Sequence, residues 1–222
     1  MSDILVSIII IIVVALAIAV IFVLTSRKKL ATENALQQLA DKSGWKFEKV
    51  NHSQQNGYIF STEDWILEAL VSTSNTSSES GSSANSFNNT WRTTRVTSPA
   101  GIVLIGSKMP SVNLVGLGEL IFQKGLQRML GTEADQAVGL EEVFVGRTSF
   151  RDRFSVWATD QDNAAHLLTF EIENALLNWK FKEIPVIKFS AAGVMIISRQ
   201  ERLDTPEKVQ ALIDLGEAVL SH

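Results

Sequence analysis

Asp160, Asp162 and His166 are the residues whose types and spacing come nearest to a reactive constellation. Residues four apart share a helix face, so Asp162 and His166 set a carboxylate beside an imidazole, the pairing that orients a metal ligand or a general base. A plainer account competes with this one. Asp160 and Asp162 cap and complement the positive end of a helix dipole, and His166 is a surface side chain. The plainer account is preferred, because no other residues complete a site. His52 lies in a turn-like polar run and His222 is terminal, neither with a companion at metal-ligand spacing. Glu141 and Glu142 read as a solvated acidic pair. Gly116 and Gly118 lack the third glycine of a dinucleotide fingerprint, and neither a phosphate-cradling G-x-x-x-x-G-K-[ST] nor a G-x-S-x-G elbow occurs. The absence of cysteine removes disulfides, thiolate ligands and a cysteine nucleophile together. No catalytic, cofactor-binding or metal-ligating residue is assigned, no cofactor is implied, and a non-enzymatic protein is expected.

The elements around these residues begin with an apolar run. Ile4–Leu24 spans 21 residues with Ser7 as its one polar side chain, long enough at about 1.5 Å per residue to cross a hydrocarbon core of roughly 30 Å. A cleavable leader would need a basic start and a small-residue cleavage site, and the chain has neither. Arg27, Lys28 and Lys29 follow the run and no Lys or Arg precedes it, which predicts an outside N-terminus and a cytoplasmic remainder. On that side the glycosylation patterns at Asn75 and Asn88 carry no meaning. Ala15 and Ala19 form a small-xxx-small pair that either admits a neighbouring helix or simply faces lipid. Residues 1–29 are thus read as a transmembrane anchor with its basic flank, and 30–44 as a juxtamembrane helix closed by Gly44.

Residues 45–222 read as one α+β domain, an antiparallel sheet covered by helices. Period-two or β-rich runs at Trp45–Val50, Gly57–Phe60, Trp65–Val71, Trp91–Val96 and Ile102–Ile105 predict a meander. Residues 72–90 hold Ser, Thr or Asn at fifteen of nineteen positions and predict a long disordered-like loop. Leu117, Leu120, Ile121, Met129 and Leu130 outline an apolar stripe over 114–130, read as core packing, with a membrane- or partner-facing segment as the alternative. Phe154–Ala158 predicts a strand, Asp160 caps a helix running through Trp179, Pro185–Ile197 contains a hairpin, and Thr205-Pro206-Glu207 opens a last helix. Trp45, Trp65, Trp91, Trp157 and Trp179 are expected mostly in sheet and core packing, with one or two on a docking face. Arg92 and Arg95 are candidates for that face or for an anionic lipid surface.

The Phe154-Ser-Val-Trp-Ala-Thr-Asp160 run, followed by Ala164, Ala165, Leu167 and Leu168 behind a one-span anchor and a meander, resembles the DUF3137 type of uncharacterised bacterial membrane-anchored domains. The resemblance covers roughly residues 145–220. It implies a strand leading into an Ala/Leu helix, then a hairpin and a C-terminal helix, and it implies no catalytic residues. With 20 Lys+Arg against 24 Asp+Glu, a formal charge of -4 speaks against nucleic acid as a partner. The expected function is that of a scaffold or accessory subunit of a membrane protein complex at the bacterial plasma membrane, held in the lipid bilayer through residues 4–24. The alternative is a tethered enzyme or a sensor of a small ligand or lipid.

Overall fold

The computed structural model describes residues 2–74, 84–98, 101–108, 139–199 and 201–221, with the side chains of 2–12, 15, 74, 84 and 85 left aside. Asn75 and the 114–130 stripe lie outside the described residues. Helix α1 (Ser2–Ser43) runs without a break from the apolar run to Gly44, whose φ of 73° ends it. The helix expected over 30–44 is therefore the continuation of the one that holds the apolar run. Among the described residues no helix is long and apolar enough to cross a membrane. The helix expected over Ile4–Leu24 is present within α1.

The described residues form nine strands, β1 (Lys46–Asn51), β2 (Gln55–Ser61), β3 (Ile66–Ser74), β4 (Ala84–Thr93), β5 (Val103–Ser107), β6 (Glu141–Val143), β7 (Phe154–Ala158), β8 (Val186–Ser190) and β9 (Gly193–Ser198). They form one antiparallel sheet in the order β1-β2-β3-β4-β9-β8-β5-β7-β6. The meander holds from β1 to β4. Beyond it, the expected continuation into β5 gives way to the C-terminal hairpin β8–β9, which inserts between β4 and β5. The 72–90 loop is also shorter than its composition predicts. Ser72–Ser74 pair with Ala84–Ser86, and Asn88–Thr90 continue β4, because Ser, Thr and Asn can satisfy a ladder through their backbones without burying apolar side chains. Asn89 is buried and donates to the Glu201 carbonyl at 2.7 Å.

One row of side chains explains the sheet's orientation. Phe47, Phe60, Leu67, Trp91, Ile196, Ile187, Ile105, Val156 and Val143 are register partners in succession across all nine strands. A one-residue slip in any strand would send its member of the row to the opposite face. The neighbouring row runs Lys46, Ser61, Ile66, Arg92, Met195, Lys188, Leu104, Trp157 and Glu142, mixed in character and charged at both edges. Charge at β1 and brevity at β6 discourage uncontrolled strand addition.

The helices pack on the apolar row. They are α2 (Thr148–Arg151), α3 (Gln161–Leu167), α4 (Phe170–Leu177) and α5 (Pro206–Leu220), joined by the C-terminal part of α1. The single helix expected from Asp160 to Trp179 is in fact two. Thr169 accepts a bond from the Ile172 N–H and starts α4, a β-branched cap residue whose hydroxyl competes with helix continuation. The break lets Leu167 and Leu168 be buried together with Ile172 and Leu176. In α5, Thr205 caps the Lys208 N–H and Pro206 occupies the first turn, as expected. α1 joins the core through Leu36 and Ala40, both fully buried, and the Lys49 ammonium on β1 lies 2.6 Å from the Glu33 carboxylate.

Trp91 sits at the centre of the row, fully buried against α5 at Gly216. A Cβ at position 216 would fall well inside contact distance of the indole ring. Among the described residues the Trp91 Nε1–H is the one buried side-chain polar atom with no hydrogen-bond partner, so packing alone holds the ring. Gly216→Ala gains about 1 kcal/mol of helix propensity but overpacks the indole, at a cost of about 1–3 kcal/mol. The net expectation is a destabilised protein with a lower thermal midpoint, read by tryptophan fluorescence; a midpoint at or above that of the parent would refute the tight α5–sheet contact.

Candidate functional site

The three residues nearest to a reactive constellation do not assemble one. Asp160 accepts the Asn163 N–H at 2.6 Å and caps α3, as the dipole argument requires. Asp162 and His166 stand exposed on α3. Among the described residues no group of three or more metal-ligating side chains forms. Glu142 accepts from the Ser155 hydroxyl at 2.5 Å, so the acidic pair on β6 is partly structural. Arg92 and Arg95 are engaged by Glu68 at 2.9 Å and Asp64 at 2.6 Å. They line or flank a cleft of about 460 Å³ beside Trp65 and Met195, but their charge is already matched within the chain.

None of the five tryptophans stands fully exposed. Trp65, Trp91 and Trp157 are buried and Trp45 and Trp179 half-buried, with Trp45 edge-on to Trp65 at 5.6 Å. Outside α1, the large apolar side chains that stand exposed among the described residues are Phe144, 76% exposed, and Phe170, 62% exposed. Phe170 packs against Arg147, which stands three residues after Phe144 in the chain. Phe144 follows β6 and alternates outward between Val143 and the buried Val145, while Phe170 opens α4 directly after its Thr169 cap.

Arg147 connects this surface to the fold. Its backbone N–H donates to Glu173 Oε1 at 3.1 Å and its Nε donates to Glu173 Oε2. A second guanidinium nitrogen donates to Asn174 Oδ1 at 2.7 Å, and the guanidinium carbon lies 4.6 Å from the centre of the Phe170 ring. Glu173 is 5% exposed, a carboxylate tolerated inside only because Arg147 and a backbone N–H satisfy it. Gly146, at φ 86°, turns the chain so that Arg147 can reach it. The result is a loop fastened to α4, with an aromatic ring and a cation preset on its outer side, the residue types that dominate interface energetics. A cleft of about 290 Å³ lies next to it, with Phe144 on its wall and Lys108, Thr148 and Arg151 supplying polar groups.

Sequence reasoning passed over Phe144 and Phe170. The signals for them are the outward phase of Phe144 between two apolar neighbours and the capping threonine before Phe170, the second masked by an apolar periodicity that runs through α3 and α4 alike. Lys28 and Lys29 of the basic flank line a pocket beside the middle of α1, and Arg27 does not.

No family model, curated protein or solved structure matches the chain.

Arg147→Ala is expected to destabilise the domain by about 2–4 kcal/mol, since it strands a buried carboxylate, whereas Arg95→Ala, which breaks an exposed pair, costs about 0–1 kcal/mol. Glu173→Gln in the Arg147→Ala background should recover part of the loss. Chemical denaturation of the four proteins checks the order; equal costs for Arg147→Ala and Arg95→Ala would show that the clamp is not structural.

Proposed function

We propose that this chain is a single-pass protein of the bacterial plasma membrane whose α+β domain works as a scaffold or accessory subunit, by holding another protein of a membrane complex against the Phe144–Phe170 surface. In this reading α1 enters the bilayer over Ile4–Leu24 with the N-terminus outside, and Arg27, Lys28 and Lys29 keep the domain in the cytoplasm. The exposure of two phenylalanines, one of them seated under a clamped arginine, is the observation that carries the proposal. An exposed ring loses little conformational entropy on docking when its neighbours are already fixed, and Arg147 is fixed by three bonds. Support for the anchor comes from the apolar run and from the exposure of its described side chains between Val13 and Leu24. The order of strand, helices, hairpin and helix from Phe154 to Leu220 is in keeping with the resemblance to the DUF3137 type.

Because the chain contains no cysteine, single substitutions report topology without background. In intact cells a membrane-impermeant maleimide is expected to label Ser2→Cys and to spare Ser221→Cys until the cells are broken. The reverse pattern would overturn the orientation, and labelling of both would overturn the span. Purified from its native membrane in mild detergent, the full-length protein should carry a stoichiometric protein partner, and Phe144→Ser with Phe170→Ser should reduce that partner at least tenfold without changing the thermal midpoint, in line with hot-spot losses of about 2 kcal/mol or more. Recovery of a solitary protein, or of the same partner with the double variant, would contradict the docking surface.

A further inference from the structure

Beside the middle of α1 lies a pocket of a different chemistry. Its volume is about 420 Å³, and it is walled on one side by Thr25, Lys28 and Lys29 and on the other by Tyr58 of β2 and Arg202. Asn51 and Asn56, register partners at the turn between β1 and β2, close it. Three cations thus converge from two distant parts of the chain. Against these three cations the lining sets one carboxylate, that of Asp204. Glu33 is held by Lys49 at 2.6 Å, and Asp204, which also lines the pocket, lies 3.7 Å from Lys208. Lys28, Lys29 and Arg202 have no ion-pair partner among the described residues. Uncharged donors surround the cations, with two amides and the Tyr58 phenol within the same walls. Burial, then the Glu33 carboxylate, push that phenol up from its ordinary value of 10.0, so it keeps its proton at neutral pH and can donate it in a hydrogen bond.

We infer that this pocket binds the phosphate of an anionic lipid headgroup. Guanidinium and ammonium groups with amide and phenol donors suit phosphate oxygens. The position selects the source. Lys28 lies four residues beyond Leu24, about 6 Å along the helix axis, which is the level of the headgroups if the apolar run ends at the hydrocarbon boundary. The inference therefore rests on the proposed anchor. It goes beyond a bare polybasic flank, since Arg202 and Tyr58 belong to the domain and would fix the angle at which it meets the lipid surface.

The test uses the full-length protein in maltoside detergent, with tryptophan fluorescence following thermal unfolding. Dioleoyl phosphatidylglycerol is expected to raise the midpoint by about 5 °C at saturating excess, and dioleoyl phosphatidylcholine to leave it unchanged. Arg202→Gln, which leaves the flank intact, should abolish the shift, Arg202→Lys should restore most of it, and Arg27→Gln should retain it. An undiminished shift in Arg202→Gln, or no shift in the parent, overturns the site. An equal shift with inorganic phosphate overturns the lipid source. Flotation with phosphatidylcholine vesicles after carbonate washing separates the two readings. Loss of flotation strikes the anchor, whereas retained flotation without an Arg202-dependent shift strikes the pocket alone.

Discussion

The fold depends on how the middle of its sheet is closed. β4 ends the N-terminal meander and finds its other neighbour in β9, from the last fifth of the chain. Trp91 on β4 then meets Gly216 on α5, the final helix. Strand pairing and helix docking at the sheet's centre both require residues more than a hundred positions apart, so the loop-closure cost is met late and folding should be slow for a domain of this size. The apolar row across nine strands resolves the pairing. With aromatic or branched side chains at every crossing, a shifted register would expose several of them at once.

Local signals in the sequence were faithful where the chain makes its own decisions. Phe154–Ala158, the Thr205-Pro206 start of α5 and the Gly44 stop of α1 all lie where their residue types place them. The failures have a common physical origin in partners distant along the chain. Ser72–Ser74 and Asn88–Thr90 look like loop until each finds a strand to pair with, and β5 looks like the next meander strand until a remote hairpin takes its place. Thr169 shows a subtler case, a helix break that apolar periodicity alone cannot distinguish from a continuous helix. Of the functional features, the basic flank was legible as charge. Its convergence with Arg202 was not, since nothing local ties residue 28 to residue 202.

Charge is used unevenly over the molecule. Exposed pairs such as Arg95 with Asp64 and Arg92 with Glu68 adjust the surface at little energetic consequence. The buried Glu173 carboxylate is different, because it forces Arg147 and the turn at Gly146 into one arrangement. That rigidity is what makes an exposed Phe170 informative. A ring on a loose loop would be an accident of sequence, whereas here the ring and its cation are held in place before anything binds.

The unbroken course of α1 gives the link between the apolar run and the domain the mechanics of a threaded rod. Leu36 is fully buried, twelve residues or about 18 Å beyond Leu24. Between these points the helix has neither glycine nor proline at which to flex. Each residue added to or removed from that stretch would change the domain's height by only about 1.5 Å, but would swing it by about 100° around the helix axis. The length of this segment therefore sets the direction in which the domain faces around α1 far more than its distance from the apolar run.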